Sequence, residues 1–269
     1  MSMMTLPKLQ ALKAEQQRFA TVTAYDASFA RLVAQAGIEC LLVGDSLGNV
    51  IQGNQTTVPV TMDDMCYHTS CVREGLNACT NTPFVIADLP YMAYATEDQA
   101  LMNATDLMQA GAQMVKVEGA DWVVDTVNTV TSRGINVCAH LGLTPQLVDV
   151  FGGFKVQGRE QDAADKLLAD AIALEQAGAG LLVLECIPTV LARKVTESLT
   201  IPVIGIGAGP YTDSQVLVMY DLLGMNPGRS PRFVKNYLEN QTGGIVAALE
   251  TYRAEVLNGH FPAPEHCYD

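Results

Sequence analysis

The sequence predicts an α/β protein, a single (β/α)₈ barrel of the TIM type over residues 1–269, and three observations carry that expectation. Eight short β-branched and apolar runs alternate with longer segments of helical period, which is the pattern of a parallel sheet. One phrase recurs where a helix turns into the next strand: Gln35-Ala36-Gly37-Ile38, Gln109-Ala110-Gly111-Ala112 and Gln176-Ala177-Gly178-Ala179. No linker-like stretch interrupts the 269 residues, a length that suits one barrel-sized core.

Taken in order, residues 1–18 read as an N-terminal extension or helix. Strands are expected at Phe19–Tyr25, Cys40–Gly44, Phe84–Asp88, Met114–Glu118, Ile135–His140, Gly180–Glu185, Ile201–Ile206 and Val216–Tyr220. The last also suits a helix beginning after Asp213. Helices are expected at about 27–37, 62–75, 97–110, 121–133, 161–178 and 189–199. Thr96-Glu97-Asp98-Gln99 resembles a capping box, and Gly111 and Gly178 follow their helices as C-caps. Residues 143–161, glycine-rich and irregular, read as an active-site loop or lid. Residues 232–257 read as a C-terminal amphipathic helix that closes the barrel or packs on a partner subunit.

Composition excludes several classes. The net charge is −13 with a pI near 4.6, and no run of Lys or Arg relieves it. Nucleic acid is therefore not an expected partner, since its phosphates need a basic stripe. No apolar run approaches the ~20 residues of a membrane span, and residues 1–20 lack the apolar stretch of a signal peptide, so a cytoplasmic protein without membrane contact is expected. Seven scattered cysteines with no Cys-x-x-Cys pair indicate thiols rather than a disulfide framework or a zinc site.

The chemistry is written at the strand ends. Four apolar runs finish in a carboxylate, at Asp45, Asp88, Glu118 and Glu185. A (β/α)₈ barrel builds its active site from the C-terminal ends of its strands, so these side chains are expected to converge. Converging carboxylates repel one another and rise in pKa unless a cation sits among them. Oxygen ligands favour a hard ion, Mg²⁺ or another divalent cation. His140 also ends a strand. Lys116 and Glu118, two apart, point to the same face, and a buried lysine needs an anionic partner from the protein or from a bound acid. The segment Ile201–Gly209 reads either as a phosphate loop or as glycines that let backbones pack closely at the barrel mouth.

Longer strings narrow the reading further. Val43-Gly44-Asp45-Ser46-Leu47-Gly48, Ala87-Asp88-Leu89-Pro90-Tyr91-Met92, Val115-Lys116-Val117-Glu118-Gly119, His140-Leu141-Gly142-Leu143-Thr144-Pro145-Gln146, Phe151–Gly158, Leu184-Glu185-Cys186 and Ile201–Gly209 occur in order. In them the chain resembles the ketopantoate hydroxymethyltransferase family over roughly residues 5 to 265.

The resemblance implies transfer of a hydroxymethyl group from 5,10-methylenetetrahydrofolate, as co-substrate, to 3-methyl-2-oxobutanoate, forming 2-dehydropantoate in pantothenate biosynthesis. It implies a metal-stabilised enolate, Asp45 and Asp88 as direct metal ligands, and Glu118 as a ligand directly or through water. Ser46 and Lys116 match the residues that hold the keto acid's carboxylate, and Glu185 matches the general base. The family assembles as a high-order homo-oligomer, a decamer. Two departures stand out: residues 78–83 look longer than the family's pattern, and Tyr220 stands where His is expected. The alternative is a Mg²⁺-dependent enolate-forming carbon–carbon lyase or phosphonomutase of the isocitrate-lyase kind. Those enzymes typically carry a cysteine in a flexible loop, and residues 143–161 contain none. An anionic glutamyl tail on the folate also calls for a local basic patch, which the sequence alone does not place.

Overall fold

Eight parallel strands close into a barrel in the computed structural model, which describes residues 2–226 and 230–269. In chain order they are β1 (Phe19–Thr23), β2 (Cys40–Val43), β3 (Phe84–Asp88), β4 (Met114–Glu118), β5 (Val137–Gly142), β6 (Leu181–Glu185), β7 (Val203–Ile206) and β8 (Ser214–Leu217). Each pairs with the strand before it, and β8 closes on β1 with Ser214 beside Phe19. This is the (β/α)₈ barrel that the alternating pattern predicts.

The helices Ala27–Gln35, Met62–Leu76, Glu97–Ala110, Trp122–Thr131, Gln161–Gln176 and Thr189–Ser198 follow β1 to β6 in turn. Their starts have physical causes. Asp26 accepts the N–H groups of Ser28 and Phe29 (2.7 and 2.9 Å), which satisfies two donors that a helix leaves open. Thr61 and Asp64 form both arms of a capping box, a signal that the sequence reading passed over. At the expected box only one arm forms, from the Gln99 N–H to the Thr96 hydroxyl (3.3 Å). Gly111 ends its helix in the left-handed region (φ +113°), where a side chain would be strained.

The strands are buried on both faces, so side chains such as Leu41, Val85, Val115 and Leu184 pack beneath the helices with no exposed surface. Truncating one of these leucines to alanine typically costs about 2–5 kcal/mol.

Several expected segments differ in extent, among them the fifth strand, at Val137–Gly142 rather than Ile135–His140, and the seventh, at Val203–Ile206 rather than Ile201–Ile206. The eighth strand lies at Ser214–Leu217 rather than Val216–Tyr220, because its first two residues are polar yet buried. Ser214 Oγ pairs with Thr21 Oγ1 (2.9 Å), and Gln215 Nε2 donates to Gly209 O (3.0 Å) and Thr212 Oγ1 (2.8 Å). Tyr220 falls instead in a short helix, Met219–Leu222. Within 232–257 only Gly244–Leu257 is helical, since Asn236 Oδ1 accepts the N–H groups of Leu238 and Glu239 and turns the chain there. That helix is fastened across the barrel by Arg253 to the buried Glu39, whose other oxygen accepts the Ala20 N–H (2.9 Å). Residues 143–161 contain a 3₁₀ turn, Pro145–Leu147, and a helical turn, Val148–Phe151. Within residues 78–83, Asn81–Thr82 form a two-residue parallel pairing with Ser2–Met3.

Candidate active site

The parallel register decides which strand-end side chains meet. It sets Asp88 on β3 beside Lys116 on β4, Glu118 beside His140 on β5, and Gly142 beside Glu185 on β6. Asp45 follows β2 by two residues and also turns inward. All of Asp45, Ser46, Asp88, Lys116, Glu118 and Glu185, the residues singled out from sequence, line one cavity of about 590 Å³ together with His140.

Asp88 Oδ2 accepts the Asp45 backbone N–H (2.9 Å), while Oδ1 lies 2.8 Å from Lys116 Nζ as an ion pair outside hydrogen-bond alignment. Lys116 also donates to Glu118 Oε1 (3.1 Å), which is shared with His140 Nδ1 (3.1 Å). Lys116, Asp88, Glu118, Asp45 and His140 are each at most 3% exposed. Ser46 Oγ pairs with the hydroxyl of Tyr25 (2.9 Å), a buried tyrosine that the sequence reading did not single out.

The acids do not share one electrostatic state. Burial pushes the Asp45 carboxyl well above the usual range, and the neighbouring Asp88 and Glu118 add to the effect. Burial acts the same way on Glu118, but Lys116 and His140 overcome it and hold that acid at about 2. Burial disfavours the charge on Lys116, yet Asp88, Glu118 and Asp45 more than offset it and keep the ammonium protonated. His140 rises to about 9 against its own desolvation, chiefly through Glu118. Burial raises Glu185, with His140 opposing.

One oxygen from each of Asp45, Asp88 and Glu118 lies within 4.8 Å of the others. Asp88 Oδ1 is buried without a donor in hydrogen-bond geometry, despite its closeness to Lys116, and Asp45 sits in a field of two like charges. An oxygen-only donor set with an underused buried oxygen and surplus negative charge fits a hard divalent cation. Glu185 stands outside that trio, 3.4 Å from His140 Nε2. Its placement depends on Gly142 (φ +94°), where a Cβ would run into the Glu185 carbonyl oxygen.

A family model, ketopantoate hydroxymethyltransferase, matches residues 3–264. Relatives named 3-methyl-2-oxobutanoate hydroxymethyltransferase from Escherichia coli O157:H7 and Yersinia pestis are 55% and 56% identical over 264 residues, 98% of this chain and of theirs. This chain belongs to the ketopantoate hydroxymethyltransferase family. It is accordingly an enzyme, a hydroxymethyltransferase. Solved structures of similar fold include a phosphoenolpyruvate phosphomutase from Streptomyces platensis (TM-score 0.61, 14% identical, 81% of this chain and 82% of that one). Another is a 2,3-dimethylmalate lyase of the PEP mutase/isocitrate lyase superfamily (0.58, 17%, 95% and 98%). The enolate-forming lyase and mutase alternative thus shares the barrel, while sequence identity assigns the chain to the transferases.

In this member of the ketopantoate hydroxymethyltransferase family, sequence reasoning missed two buried polar residues: Gln146, which donates to the Asp45 and Glu118 carboxylates, and Tyr94, which bonds Gln146 and the Glu118 backbone. It also left a basic patch unplaced. Lys155 and Arg232 line the cavity beside Phe154 and Phe233. Of the two readings of Ile201–Gly209, packing has a visible cause: a Cβ on Gly209 would lie 2.6–2.9 Å from the Thr189 side chain. No helix among the described residues is long and apolar enough to cross a membrane.

Proposed function

We propose that the chain moves the one-carbon unit of 5,10-methylenetetrahydrofolate onto 3-methyl-2-oxobutanoate with consumption of one water, which supplies the hydroxyl oxygen, yielding 2-dehydropantoate and tetrahydrofolate. The observation that carries this reading is the pairing of a buried Asp45–Asp88–Glu118–Lys116 cluster with a separate carboxylate, Glu185, whose pKa burial raises. Such a pair divides the labour of enolisation between charge stabilisation and proton removal.

Asp45, Asp88 and Glu118 would hold Mg²⁺ or another divalent cation. Bound there, the ion supplies a Lewis acid for the keto group and its developing negative charge. Lys116, already poised between Asp88 and Glu118, and Ser46 bind the carboxylate of the keto acid. Glu185 removes the hydrogen from the carbon beside the keto group, a task that suits a base with a pKa lifted toward neutrality. The carbon so activated bonds to the one-carbon unit of the folate as that unit's two bonds to the folate nitrogens break, water supplying the hydroxyl and the nitrogens regaining hydrogen. A five-carbon acid fills only part of a 590 Å³ cavity, and Lys155, Arg232 and the nearby aromatic rings offer the remainder to the folate, with cations for its glutamyl tail. Residues 143–161 act as the lid. The same reading makes the enzyme a cytoplasmic homo-oligomer of high order, a decamer.

A survey of 2-keto acids for proton exchange in D₂O tests the reading. Cation-dependent exchange of 3-methyl-2-oxobutanoate, without folate, is expected. Cation-independent exchange, or none with any keto acid, would contradict it.

A further inference from the structure

Gln146 is 3% exposed and follows β5 in the 3₁₀ turn Pro145–Leu147, where its amide is surrounded by the acids of the site. Its backbone N–H donates to Glu118 Oε2 (3.1 Å). Its side-chain Nε2 donates twice, to Asp45 Oδ2 (2.9 Å) and to Leu89 O (2.9 Å). Its Oε1 accepts the Tyr94 hydroxyl (2.6 Å), and the Tyr94 oxygen in turn accepts the Glu118 N–H (3.2 Å).

This network leaves the carboxamide one orientation. Reversed, its oxygen would face the Leu89 carbonyl, which can only accept, and the Tyr94 hydroxyl would lose the acceptor 2.6 Å away. Tyr94 is itself fixed, because its ring stacks on Trp122 (centroids 5.7 Å apart, planes 21° apart). One neutral residue thereby grips two of the three acids, each on a single oxygen, while adding no charge to a crowded anionic site. A lysine would compete with a cation there, and a glutamate would add a fourth negative charge.

We infer that Gln146, held in its orientation by Tyr94, is the positioning residue that fixes the Asp45 and Glu118 carboxylates and leaves Asp45 Oδ1 free to face a divalent cation. The inference rests on the metal reading above and adds to it the outer groups that fix ligand direction. Such partners typically change metal affinity ~10–100-fold when removed.

The test compares wild type, Gln146→Ala and Tyr94→Phe by calorimetric titration with Mg²⁺ alone, after circular dichroism has confirmed each fold. Gln146→Ala is expected to weaken Mg²⁺ binding ~10–100-fold and Tyr94→Phe by a smaller factor. The exchange rate of each should recover when Mg²⁺ is raised in proportion, a rescue that a general packing defect would not show. Should Gln146→Ala fail to fold, Tyr94→Phe, which loses a single oxygen atom, decides. Affinities within twofold of wild type in the folded variants overturn the inference. A wild type that binds no divalent cation overturns the metal reading itself, a distinct result.

Discussion

His140 Nε2 lies 3.4 Å from Glu185 Oε2, near enough for charge to act but outside hydrogen-bond alignment. Its other nitrogen sits 3.1 Å from Glu118 Oε1. One imidazole thus stands between the strongly acidic carboxylate of the cluster and the carboxylate proposed as base. The two acids keep different pKa values within one cavity because Glu118 also holds Lys116, whereas Glu185 has no cation in direct contact except this histidine, among the described residues.

That difference has a pH consequence. Burial raises the Glu185 pKa above the ordinary 4.5, with His140 and Lys116 opposing and Glu118 adding to the rise. A base must be ionised, so proton exchange should be complete above the raised pKa and fall away as pH drops through it. A pH profile of kcat/KM for exchange in D₂O should therefore place its acid limb above 4.5. A limb at or below that value would show that a less buried acid, or none, controls the step.

Asp45→Asn combined with Asp88→Asn should remain folded, since it relieves repulsion and leaves Lys116 paired with Glu118. Mg²⁺ affinity should fall by at least ~100-fold, more than loss of an outer partner brings. Unchanged calorimetric affinity in the folded variant would put the cation elsewhere.

Residues 143–161 should close over the bound acid, because an enolate has to be kept from water and Phe154, 68% exposed, already lines the cavity. Limited proteolysis within Val150–Lys155 should slow several-fold, roughly 3- to 10-fold, when Mg²⁺ and 3-methyl-2-oxobutanoate are added, as expected of local opening that a ligand suppresses. Equal cutting in both conditions would argue against a lid.

The barrel was legible in sequence because long apolar strands alternate with well-capped helices, and Phe84–Asp88 and Met114–Glu118 fall at the expected residues. Period-two reasoning also placed Lys116 beside Glu118 on one face, as their 3.1 Å contact bears out. The eighth strand was shifted since Ser214 and Gln215 are buried through hydrogen bonds that no hydropathy pattern carries. Gln146 and Tyr94 were illegible for a related reason. Neutral polar groups advertise nothing until the register brings Asp45, 101 residues away along the chain, within reach of an amide.

The most direct test of the account is the hydrogen beside the keto group of 3-methyl-2-oxobutanoate. Glu185→Gln should fold and bind Mg²⁺ and the keto acid, because neither depends on that charge. In D₂O without folate, NMR should show the wild type exchanging that hydrogen and the variant slower by ~10²–10⁴-fold, the usual worth of a placed general base. Near-normal exchange by folded Glu185→Gln would remove Glu185 from proton transfer and contradict the division of roles between the buried cluster and its neighbouring carboxylate.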